Sequence, residues 1–494
     1  STLGFELIPS PQQQAVWDAM KLSVDARTVQ MTAFNKSIVR EFETKWGWVI
    51  EALRDAGITL QFATNHSMGY AAIRKAFSQR LEVSEYRVTD LISSILGVDV
   101  RELRRTKFEM LKATEKLVRM CKMNLAGTDE ESLDAIASHY DIEFNGCRRE
   151  VFDLVPQVLE ACKDPTRDGR IDYDDMVYLP IALDLPMFRN DLLLVDESQD
   201  LNRCQQALAK KAGKRLVLVG DPKQAIYAFA GADAESMARM ERELTTTKQG
   251  CTVLPLTVTR RCGHAIVREA NKIVKDFAAH ESNCEGKISE AQYPTYEKDG
   301  RTVERPWNEC YLSQVQSGDF VLCRVNAPLV SNCFRFIKRG IRANIQGRDI
   351  GAGLVSTIEK LKAQSINDLV AKVSDWLNTE LTKEQAKRLP SEARMIALND
   401  RADCLIAFTE GATSVTGVVD KIKVVFTDDK QGGGIRLSSI HRAKGLEADR
   451  VFILQPKGSQ MPHPMARSDW QRQQESNLLY VAITRSRQEL VYVS

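Results

Sequence analysis

The sequence lacks three features that would place it in a specialised class of protein. No uninterrupted apolar run approaches the ~18 residues that a membrane-spanning helix requires, and residues 192–195 are typical of the longest. Residues 1–10 contain no basic region followed by an apolar stretch, so no secretory signal is expected there. No Cys-x-x-Cys pair occurs among the 11 cysteines, which argues against a zinc ribbon or a disulfide framework and predicts reduced thiols in an intracellular protein.

The net charge is also small. The chain has 68 Lys and Arg against 66 Asp and Glu, which leaves a formal charge of +2. This balance excludes a polybasic protein and confines any nucleic-acid surface to a local patch. Hydrophobic residues make up 43% of the 494 residues, and this length implies about three or four domains.

Short, continuous apolar runs recur along the chain, and each ends in polar residues. Runs of this kind, rather than alternating ones, are typical of strands buried on both faces of a parallel sheet. They lie at residues 192–195, 216–219, 320–323, 451–454 and 490–493. Helical patterns separate them, so we predict an α/β fold with two groups of strands.

Two long stretches, residues 67–165 and 351–430, read as helices and are predicted to be helical insertions within the α/β cores. Turn-forming residues at 164–169 and 432–434 mark their ends. The predicted cores are therefore discontinuous, a first one from residues 1–66 and 166–255 and a second one from residues 256–350 and 431–494.

Basic residues within the first helical stretch leave two interpretations open. They could contact duplex DNA, but interleaved acidic residues favour a solvated helix face. The basic residues are Arg104, Arg105, Lys107 and Lys112, and the acidic ones are Glu102, Glu109 and Glu115.

Two adjacent carboxylates, Asp196 and Glu197, follow the first predicted strand. Ligands of open α/β sheets bind at the carboxyl ends of the strands. Asp196 could therefore hold a hydrated Mg²⁺ and Glu197 could polarise an attacking water. An isolated Asp-Glu pair is more often a solvated acidic turn, and Gln199 and Asp200 weaken that alternative without removing it.

The next predicted strand leads into a turn that carries a glutamine and two aromatic residues. Gln224 could sense a terminal phosphate. Tyr227 and Phe229 could stack on bases, since stacking contributes ~1–3 kcal/mol per base. Burial of both rings in an interdomain core is an equally good interpretation of these two residues.

Two further segments, residues 437–447 and 477–487, lie near the end of the sequence. Arg485 stands in a mostly apolar stretch, and a buried arginine needs an anion, which a phosphate or a structural carboxylate would supply equally well. His441 by itself is more often a hydrogen-bonded core histidine than a functional one.

Eight segments together resemble, in order and spacing, the motifs of the UvrD/Rep/PcrA-like superfamily 1 DNA helicases. One match is weak evidence, but eight matches in order are strong. They are Pro11-Gln12-Gln13 (the adenine-reading motif) and residues 32–36 (motif Ia), 64–67 (Ib), 196–200 (II), 220–233 (III), 256–261 (IV), 437–447 (V) and 480–487 (VI).

The resemblance implies two RecA-like parallel-sheet cores, with ATP and Mg²⁺ in the cleft between them and single-stranded DNA bound across them. Asp196 would bind Mg²⁺, Glu197 would activate water and Gln224 would sense the γ-phosphate. Arg261 and Arg485 would act as arginine fingers from the second core.

The resemblance also implies the remaining contacts. Gln13 would read the adenine, Glu447 would meet the ribose, and Gly445 would lie against the nucleotide. The DNA-binding residues would be Phe34, Asn35, Lys36, Thr64, His66, Tyr227, Phe229 and His441. The family moves 3′ to 5′ and unwinds duplex at single-strand/duplex junctions, which implies work in DNA repair or replication, with a possible protein partner in a repair, replication or defence complex.

One family feature, the phosphate-binding loop, is missing. No Gly-Lys is followed by Thr or Ser, and only residues 21–27 separate the first predicted helix from the motif Ia strand, where the family has a strand, a loop and a helix. Either a segment has been lost from the sequence, or the chain is a non-hydrolysing relative that binds single strands or regulates an assembly. A lost segment is the favoured explanation, because the other ATP residues make mechanistic sense only with a phosphate cradle.

Overall fold

The structure, a computed structural model, describes residues 11–21, 26–33, 36–78, 80–140, 142–227, 235–248, 250–299, 301–386, 392–427, 434–456, 459, 461–463, 466 and 469–494. The chain forms two compact units, Ser1–Pro255 and Leu256–Ser494. Each unit contains a parallel sheet with helices, so the predicted α/β class is confirmed. Among the described residues, no helix is both long enough and apolar enough to cross a bilayer.

The first unit is built on a four-stranded parallel sheet with the strand order β2-β1-β5-β6. A separate two-stranded pairing joins β3 to β4. The strands are β1 (Thr28–Ala33), β2 (Thr59–Thr64), β3 (Glu82–Val83), β4 (Arg170–Ile171), β5 (Asn190–Val195) and β6 (Gly213–Leu218). The helices are α1 (Pro11–Lys21), α2 (Lys36–Asp55), α3 (Asn65–Ala76), α4 (Arg87–Leu96), α5 (Val100–Thr106), α6 (Phe108–Asn124), α7 (Glu130–His139), α8 (Arg148–Cys162), α9 (Asp175–Ala182), α10 (Arg203–Ala212) and α11 (Ser236–Thr245).

Helices α4 to α8 have a core of their own, in which Leu103, Leu117 and Val155 are fully buried. The expected helical stretch is therefore present, although its status as a separate insertion stays a prediction. Residues 101–123 are divided between α5 and α6, because the backbone at Lys107 leaves the helical region with φ −128° and ψ 35°.

The apolar run at residues 216–219 predicts a strand buried on both faces, but strand β6, which contains residues 216–218, is only half-buried there. Among the described residues, β6 pairs with β5 on one side and with no strand on the other. Most of its residues are half-buried, and Val219, just beyond its end, is 43% exposed. The apolar run thus forms an edge strand, because no described neighbour covers its outer side.

A buried charge cluster joins α4 and α6 to the segment that leads into α9. It consists of Arg87, Lys122, Asp168, Asp172 and Asp175. Arg87 Nη1 lies 2.6 Å from Asp175 Oδ2, and Arg87 Nε lies 3.0 Å from Asp168 Oδ2. Lys122 Nζ lies 2.6 Å from Asp172 Oδ2 and 2.7 Å from Asp175 Oδ1. These ion pairs attach the helical stretch to the segment that follows it.

The second unit contains a seven-stranded parallel sheet with the order β14-β13-β15-β12-β16-β17-β9. Its strands are β9 (Lys287–Ala291), β12 (Phe320–Cys323), β13 (Ala343–Gln346), β14 (Phe426–Thr427), β15 (Ile435–Ser439), β16 (Ala448–Leu454) and β17 (Ser486–Val493), and two smaller pairings join β7 (Val258–Thr259) to β8 (Ala278–Ala279) and β10 (Thr295–Lys298) to β11 (Arg301–Glu304). The helices are α12 (His264–Ala270), α13 (Ala327–Lys338), α14 (Arg348–Leu361), α15 (Ile366–Gln385), α16 (Glu392–Thr409), α17 (Val415–Val425), α18 (Ile440–Ala443) and α19 (Asp469–Ile483).

Strands β12 and β16 lie at the centre of this sheet, and their apolar residues 320–323 and 451–454 are fully buried. The prediction that these two runs are buried strands is confirmed. Because the strands are parallel, all their carboxyl ends lie on one side of the sheet, here called the carboxyl edge, and all their amino ends lie on the opposite side, the amino edge. The loops at these two edges carry the candidate functional residues.

Candidate functional site

The carboxyl ends of the four parallel strands gather candidate residues at one edge of the first sheet. Thr64 ends β2, Asp196 follows β5, and Gln224 follows β6 by six residues. The N–H of Asp196 donates to Thr32 O at 3.1 Å, so the carboxylate-bearing turn continues the register between β5 and β1. Parallel topology therefore brings these candidates to one edge.

Asp196 and Glu197 form a tight turn at the end of β5. The Glu197 N–H donates to Asp196 Oδ1 at 2.9 Å. Glu197 itself has a φ of 53°, in the left-handed region that is uncommon for residues other than glycine. Non-glycine residues in this conformation cost free energy and are concentrated at functional sites. The strained turn aims two adjacent carboxylates away from the strand.

A chain of hydrogen bonds runs from Glu197 through Gln199 and Asp221 to Gln224. Gln199 Nε2 donates to Glu197 Oε2 at 2.5 Å, and the Asp221 N–H donates to Gln199 Oε1 at 3.1 Å. Gln224 Nε2 donates to Asp221 Oδ2 at 3.0 Å. A Cβ at Gly220 would collide with Gln199 Oε1, so the glycine leaves room for the carboxamide to reach the end of the next strand. The ends of β5 and β6 are thus joined through side chains.

The donor set at the end of β5 suits Mg²⁺, because this ion prefers oxygen ligands and is often held by one or two carboxylates. Asp196 and Glu197 supply such oxygens. In the described part of the chain, no three His, Cys, Asp or Glu side chains are arranged to hold a metal ion. Further ligands would therefore come from nucleotide phosphates and water, as is usual for this ion.

The candidate DNA-binding residues of the first unit are only partly described. Phe34, Asn35 and Phe229 lie outside the described residues, and Lys36 is the first residue of α2, where its side chain is not described. Tyr227 is half-buried.

Thr64 and His66 lie at the beginning of α3. Thr64 caps this helix, because its Oγ1 accepts the Ser67 N–H at 3.2 Å while Ser67 Oγ accepts the Thr64 N–H at 2.9 Å. His66 is half-buried, and burial lowers the pKa of its imidazole. Contact of either residue with DNA stays a prediction, as does adenine reading by the exposed Gln13 on α1.

The amino edge of the second sheet carries four candidate residues, Arg261, Gly445, Glu447 and Arg485. Gly445 and Glu447 precede β16, and Arg485 precedes β17. Arg261 forms an ion pair with Glu447. Arg487 Nη1 lies 3.5 Å from Glu447 Oε1, and Arg487 Nε lies 2.8 Å from Asp449 Oδ1. Gly445, two residues before Glu447, has a φ of 81°, which favours glycine in this turn. Two guanidinium groups therefore flank the Glu447 carboxylate.

Arg485 is 1% exposed and directly precedes β17. Its Nε donates to Val481 O at 2.9 Å, its Nη1 to Leu446 O at 3.1 Å and its Nη2 to Thr484 Oγ1 at 3.2 Å. These oxygens satisfy buried donors of the guanidinium, since a carbonyl or hydroxyl oxygen can accept from a buried N–H. The predicted contact of Arg485 with an anion stays a prediction.

Arg261 lies alongside the segment that contains Arg485. The Cys262 Sγ donates to Thr484 O at 3.7 Å, and the Gly263 N–H donates to Arg487 O at 2.8 Å. The two predicted arginine fingers are thus brought to the same edge of one sheet.

His441 lies at the opposite, carboxyl edge, in α18 directly after β15. Burial, together with the positive charge of Arg324, lowers the pKa of His441 to about 3, so the imidazole is neutral at physiological pH. Arg324 directly follows β12 and forms a forked ion pair with Glu475 of α19, with Nε to Oε1 at 3.0 Å and Nη2 to Oε1 at 2.9 Å. Glu475 Oε2 also accepts the His463 N–H at 3.2 Å.

Comparison with known proteins identifies the same two units. Residues 20–245 match the UvrD/REP helicase N-terminal domain, and residues 269–494 match the UvrD-like helicase C-terminal domain. The chain belongs to the UvrD-like helicase family.

Several relatives in the UvrD-like family are similar along much of this chain. The F-box DNA helicase protein 1 of Schizosaccharomyces pombe is 26% identical over 61% of the chain and 33% of its own length. The ATP-dependent DNA helicase PcrA of Bacillus subtilis is 23% identical over 66% of the chain and 58% of its own length. The ATP-dependent DNA helicase UvrD2 of Mycobacterium tuberculosis is 23% identical over 87% of the chain and 66% of its own length. The chain therefore spans one third to two thirds of the length of these relatives.

Membership of the UvrD-like family agrees with the groupings found within each unit. The structure brings Asp196, Glu197 and Gln224 together in the first unit, and Arg261, Glu447, Gly445 and Arg485 together in the second. It places His441 at the other edge of the second sheet.

Sequence reasoning assigned no role to four residues that the structure places in these sites. They are Gln199, Asp221, Arg324 and Glu475. A polar residue directly after a predicted strand is a sequence feature that could have identified Arg324 as a site residue. No such feature marks Glu475, because it lies within a helix and its partner Arg324 is 151 residues away in sequence.

Proposed function

We propose that this chain is the motor of an ATP-dependent DNA helicase that moves 3′ to 5′ along single-stranded DNA and unwinds duplex at a junction. The observation that carries the proposal is the hydrogen-bond chain from Glu197 through Gln199 and Asp221 to Gln224. It connects the candidate base at the end of β5 to the candidate phosphate sensor beyond β6. A group that senses a terminal phosphate and a group that activates water need such a connection to act together.

In this proposal, Glu197 orients a water and accepts its proton as the water oxygen attacks the γ-phosphorus. The bond from the γ-phosphorus to the bridging oxygen breaks, and ADP leaves with that oxygen. Asp196 would hold Mg²⁺, which neutralises phosphate charge when it is bound. Gln199 would fix the Glu197 carboxylate in position through its own carboxamide.

The second unit would supply positive charge to the phosphates. Arg261 is paired with Glu447 in the structure. When Glu447 meets the ribose, Arg261 would exchange that carboxylate for a phosphate, while Arg487 keeps its ion pair with Asp449. Arg485 would contribute from its buried position next to Leu446. Arginine fingers of this kind stabilise charge that develops in the transition state.

The missing phosphate-binding loop supports a second candidate function, a relative that grips single-stranded DNA without hydrolysing ATP or that regulates a larger assembly. The sequence has no Gly-Lys-Thr or Gly-Lys-Ser. Among the described residues, β6 has no strand neighbour on its outer side, which agrees with the loss of a strand from the first sheet. The chemistry proposed for Glu197 and Gln224 would have no substrate phosphate to act on in such a protein.

The test is ATP hydrolysis by this chain with and without single-stranded DNA, with Glu197→Gln as the matched variant. We expect hydrolysis that DNA stimulates, and a loss of at least ~100-fold in Glu197→Gln while ATP and DNA still bind. This variant keeps the side-chain volume and removes only the ionisable oxygen, so it also reports contaminating ATPases.

Each alternative result has one meaning. Equal hydrolysis in the two proteins would contradict the role of Glu197. No hydrolysis by either protein, with DNA binding retained, would favour the non-hydrolysing candidate. An intact-mass measurement would then establish whether the chain in solution contains the residues of a phosphate-binding loop.

A further inference from the structure

Helix α19 crosses the second sheet from one edge to the other. It begins after β16, at the carboxyl edge that carries His441, and it ends directly before β17, at the amino edge that carries Arg261 and Glu447. A helix of 15 residues is about 22 Å long at ~1.5 Å per residue. α19 is therefore a single rigid element with one end at each of the two candidate sites of this unit.

Glu475, the seventh of the 15 residues of α19, attaches the middle of this helix to residues that follow the central strands. This carboxylate is 7% exposed and accepts hydrogen bonds from the Arg324 guanidinium, which follows β12, and from the His463 N–H, which follows β16. Glu475 thus links Arg324, directly after β12, and His463, in the segment that follows β16, to the helix. Helix α18, which carries His441, packs against both α19 and β12, the strand that Arg324 follows.

The helical stretch of the second unit is attached at the same place. Asp400 of α16 accepts the N–H groups of Asn326 and Ala327 at 2.8 and 2.7 Å, and its Oδ2 accepts Asn326 Nδ2 at 3.0 Å. These bonds cap α13 two residues beyond Arg324. The position of Arg324 is therefore fixed from two sides, by α19 and by α16.

The C-terminal end of α19 is attached to the candidate nucleotide-binding residues. The N–H of Thr484 donates to Tyr480 O, and the Arg485 guanidinium donates to Val481 O and Leu446 O. A displacement of α19 along its axis would therefore move Arg485 and the turn that carries Gly445 and Glu447. From Glu475 the helix continues for eight residues, or ~12 Å, to its end at Ile483, and Arg485 follows two residues later.

We infer that Glu475 is a positioning residue through which α19 couples occupation of the strand-binding edge of the second unit to the position of Arg485. The inference rests on the proposed function, because it takes His441 as a contact for single-stranded DNA and Arg485 as a contact for the nucleotide. Glu475 touches neither ligand. It transmits a shift of Arg324 and His441 to a helix whose far end holds Arg485.

The test is amide hydrogen exchange of the full chain, measured by mass spectrometry with and without an oligo-dT strand. DNA affinity is measured separately, by fluorescence anisotropy. In the wild type, we expect DNA to slow exchange in the last turn of α19, residues 480–485. Glu475→Gln is expected to remove this protection and to reduce the ratio of DNA-stimulated to basal ATP hydrolysis by roughly 2- to 30-fold.

Asp469→Asn is the matched control, because it removes a carboxylate from the first turn of the same helix, where the side chain is fully exposed and pairs with Arg472 only at 3.8 Å. It is expected to behave as the wild type. Arg324→Gln combined with Glu475→Gln serves as the second variant if Glu475→Gln unfolds, since it removes both charges of the pair together.

The outcomes separate the inference from the proposed function. Absence of DNA binding in the wild type overturns both. DNA binding without protection at residues 480–485, or protection that survives in Glu475→Gln, overturns the inference alone. Tighter DNA binding by Glu475→Gln with protection intact also overturns it, because Glu475 would then do no more than neutralise Arg324.

Discussion

At the scale of single residues, the carboxamide of Gln199 is the group that joins two strand ends in the first unit. It is 2% exposed, donates to Glu197 and accepts from the Asp221 N–H. A buried amide that loses its partners leaves those partners unsatisfied, which costs ~1–3 kcal/mol. The proposed base is therefore held by a residue that does not itself touch a substrate.

Gln199→Met tests this role. The substitution keeps the volume and removes both hydrogen bonds, so we expect kcat for ATP hydrolysis to fall by about tenfold or more while KM for ATP changes little. Gln157→Met on the surface of α8 is the control and should leave both constants unchanged. A variant that raises KM with an unaltered kcat would contradict a role in positioning Glu197.

His441 gives a prediction in pH. Its folded-state pKa of about 3 lies below the ordinary value of 6.5, so the unfolded chain binds a proton that the folded protein does not. The contribution of His441 to stability is complete above pH 6.5 and is lost as the pH falls towards 3, by about 2 kcal/mol at pH 5. Urea unfolding at pH 7 and pH 5 should show this loss in the wild type and a smaller loss in His441→Gln. Identical pH dependence in the two proteins would mean that His441 is not held neutral.

Individual site residues were predictable where the sequence places chemistry directly after a strand. Asp196 and Glu197 follow a continuous apolar run, and the parallel fold then requires them to lie at the sheet edge. The Gln199 to Asp221 contact and the Arg324 to Glu475 pair were not predictable, because each depends on how distant segments pack. Local sequence carries no information about such pairs.

At the scale of elements, β6 shows the limit of a sequence pattern. Its apolar run resembles that of β12, which is fully buried between two neighbours, yet in the described part of the chain β6 has a strand on one side only. The pattern reports that a strand is apolar, whereas its number of neighbours depends on the rest of the sheet. An apolar edge strand offers unpaired backbone groups to other molecules.

Val219→Lys is expected to reduce self-association of the chain. A lysine at an edge blocks pairing with another strand. Because Val219 is 43% exposed, the free energy of unfolding should change by no more than ~0.5 kcal/mol. Light scattering against protein concentration measures the effect. Val424→Lys, at an exposed helical position of the second unit, is the control. An equal effect of both substitutions would point to general surface charge rather than to the edge of β6.

At the scale of the whole molecule, the buried charge cluster determines how the helical stretch of the first unit is attached. Lys122 is 1% exposed, and although its burial acts to lower its pKa, Asp175 and Asp172 outweigh that effect and raise it. Burial likewise acts to raise the pKa of Asp175, but Lys122 and Arg87 outweigh it and lower it. Lys122 and Asp175 therefore stabilise each other's charged forms in the cluster.

Lys122→Met should be among the most destabilising single substitutions in this chain. It leaves Asp172 and Asp175 without a main counter-charge, and breaking a buried ion pair in this way costs ~3–5 kcal/mol. Thermal unfolding followed by circular dichroism measures the loss. Lys112→Met, at an exposed position of the same helix, should be nearly neutral. A small effect of Lys122→Met would show that the aspartates find other partners or become protonated.

The segment that supplies the acidic side of this cluster has the spacing of a calcium-binding loop. Between α8 and α9, Asp164, Thr166, Asp168, Asp172 and Asp175 stand at the first, third, fifth, ninth and twelfth places, and Gly169, with φ 68°, stands at the sixth. Three of these residues, Asp168, Asp172 and Asp175, form ion pairs with the chain's own ammonium and guanidinium groups, on Lys122 and Arg87. The helical stretch is therefore fastened by a cation that cannot dissociate. Because Lys122 is 1% exposed, salt in solution screens these ion pairs far less than it screens pairs on the surface.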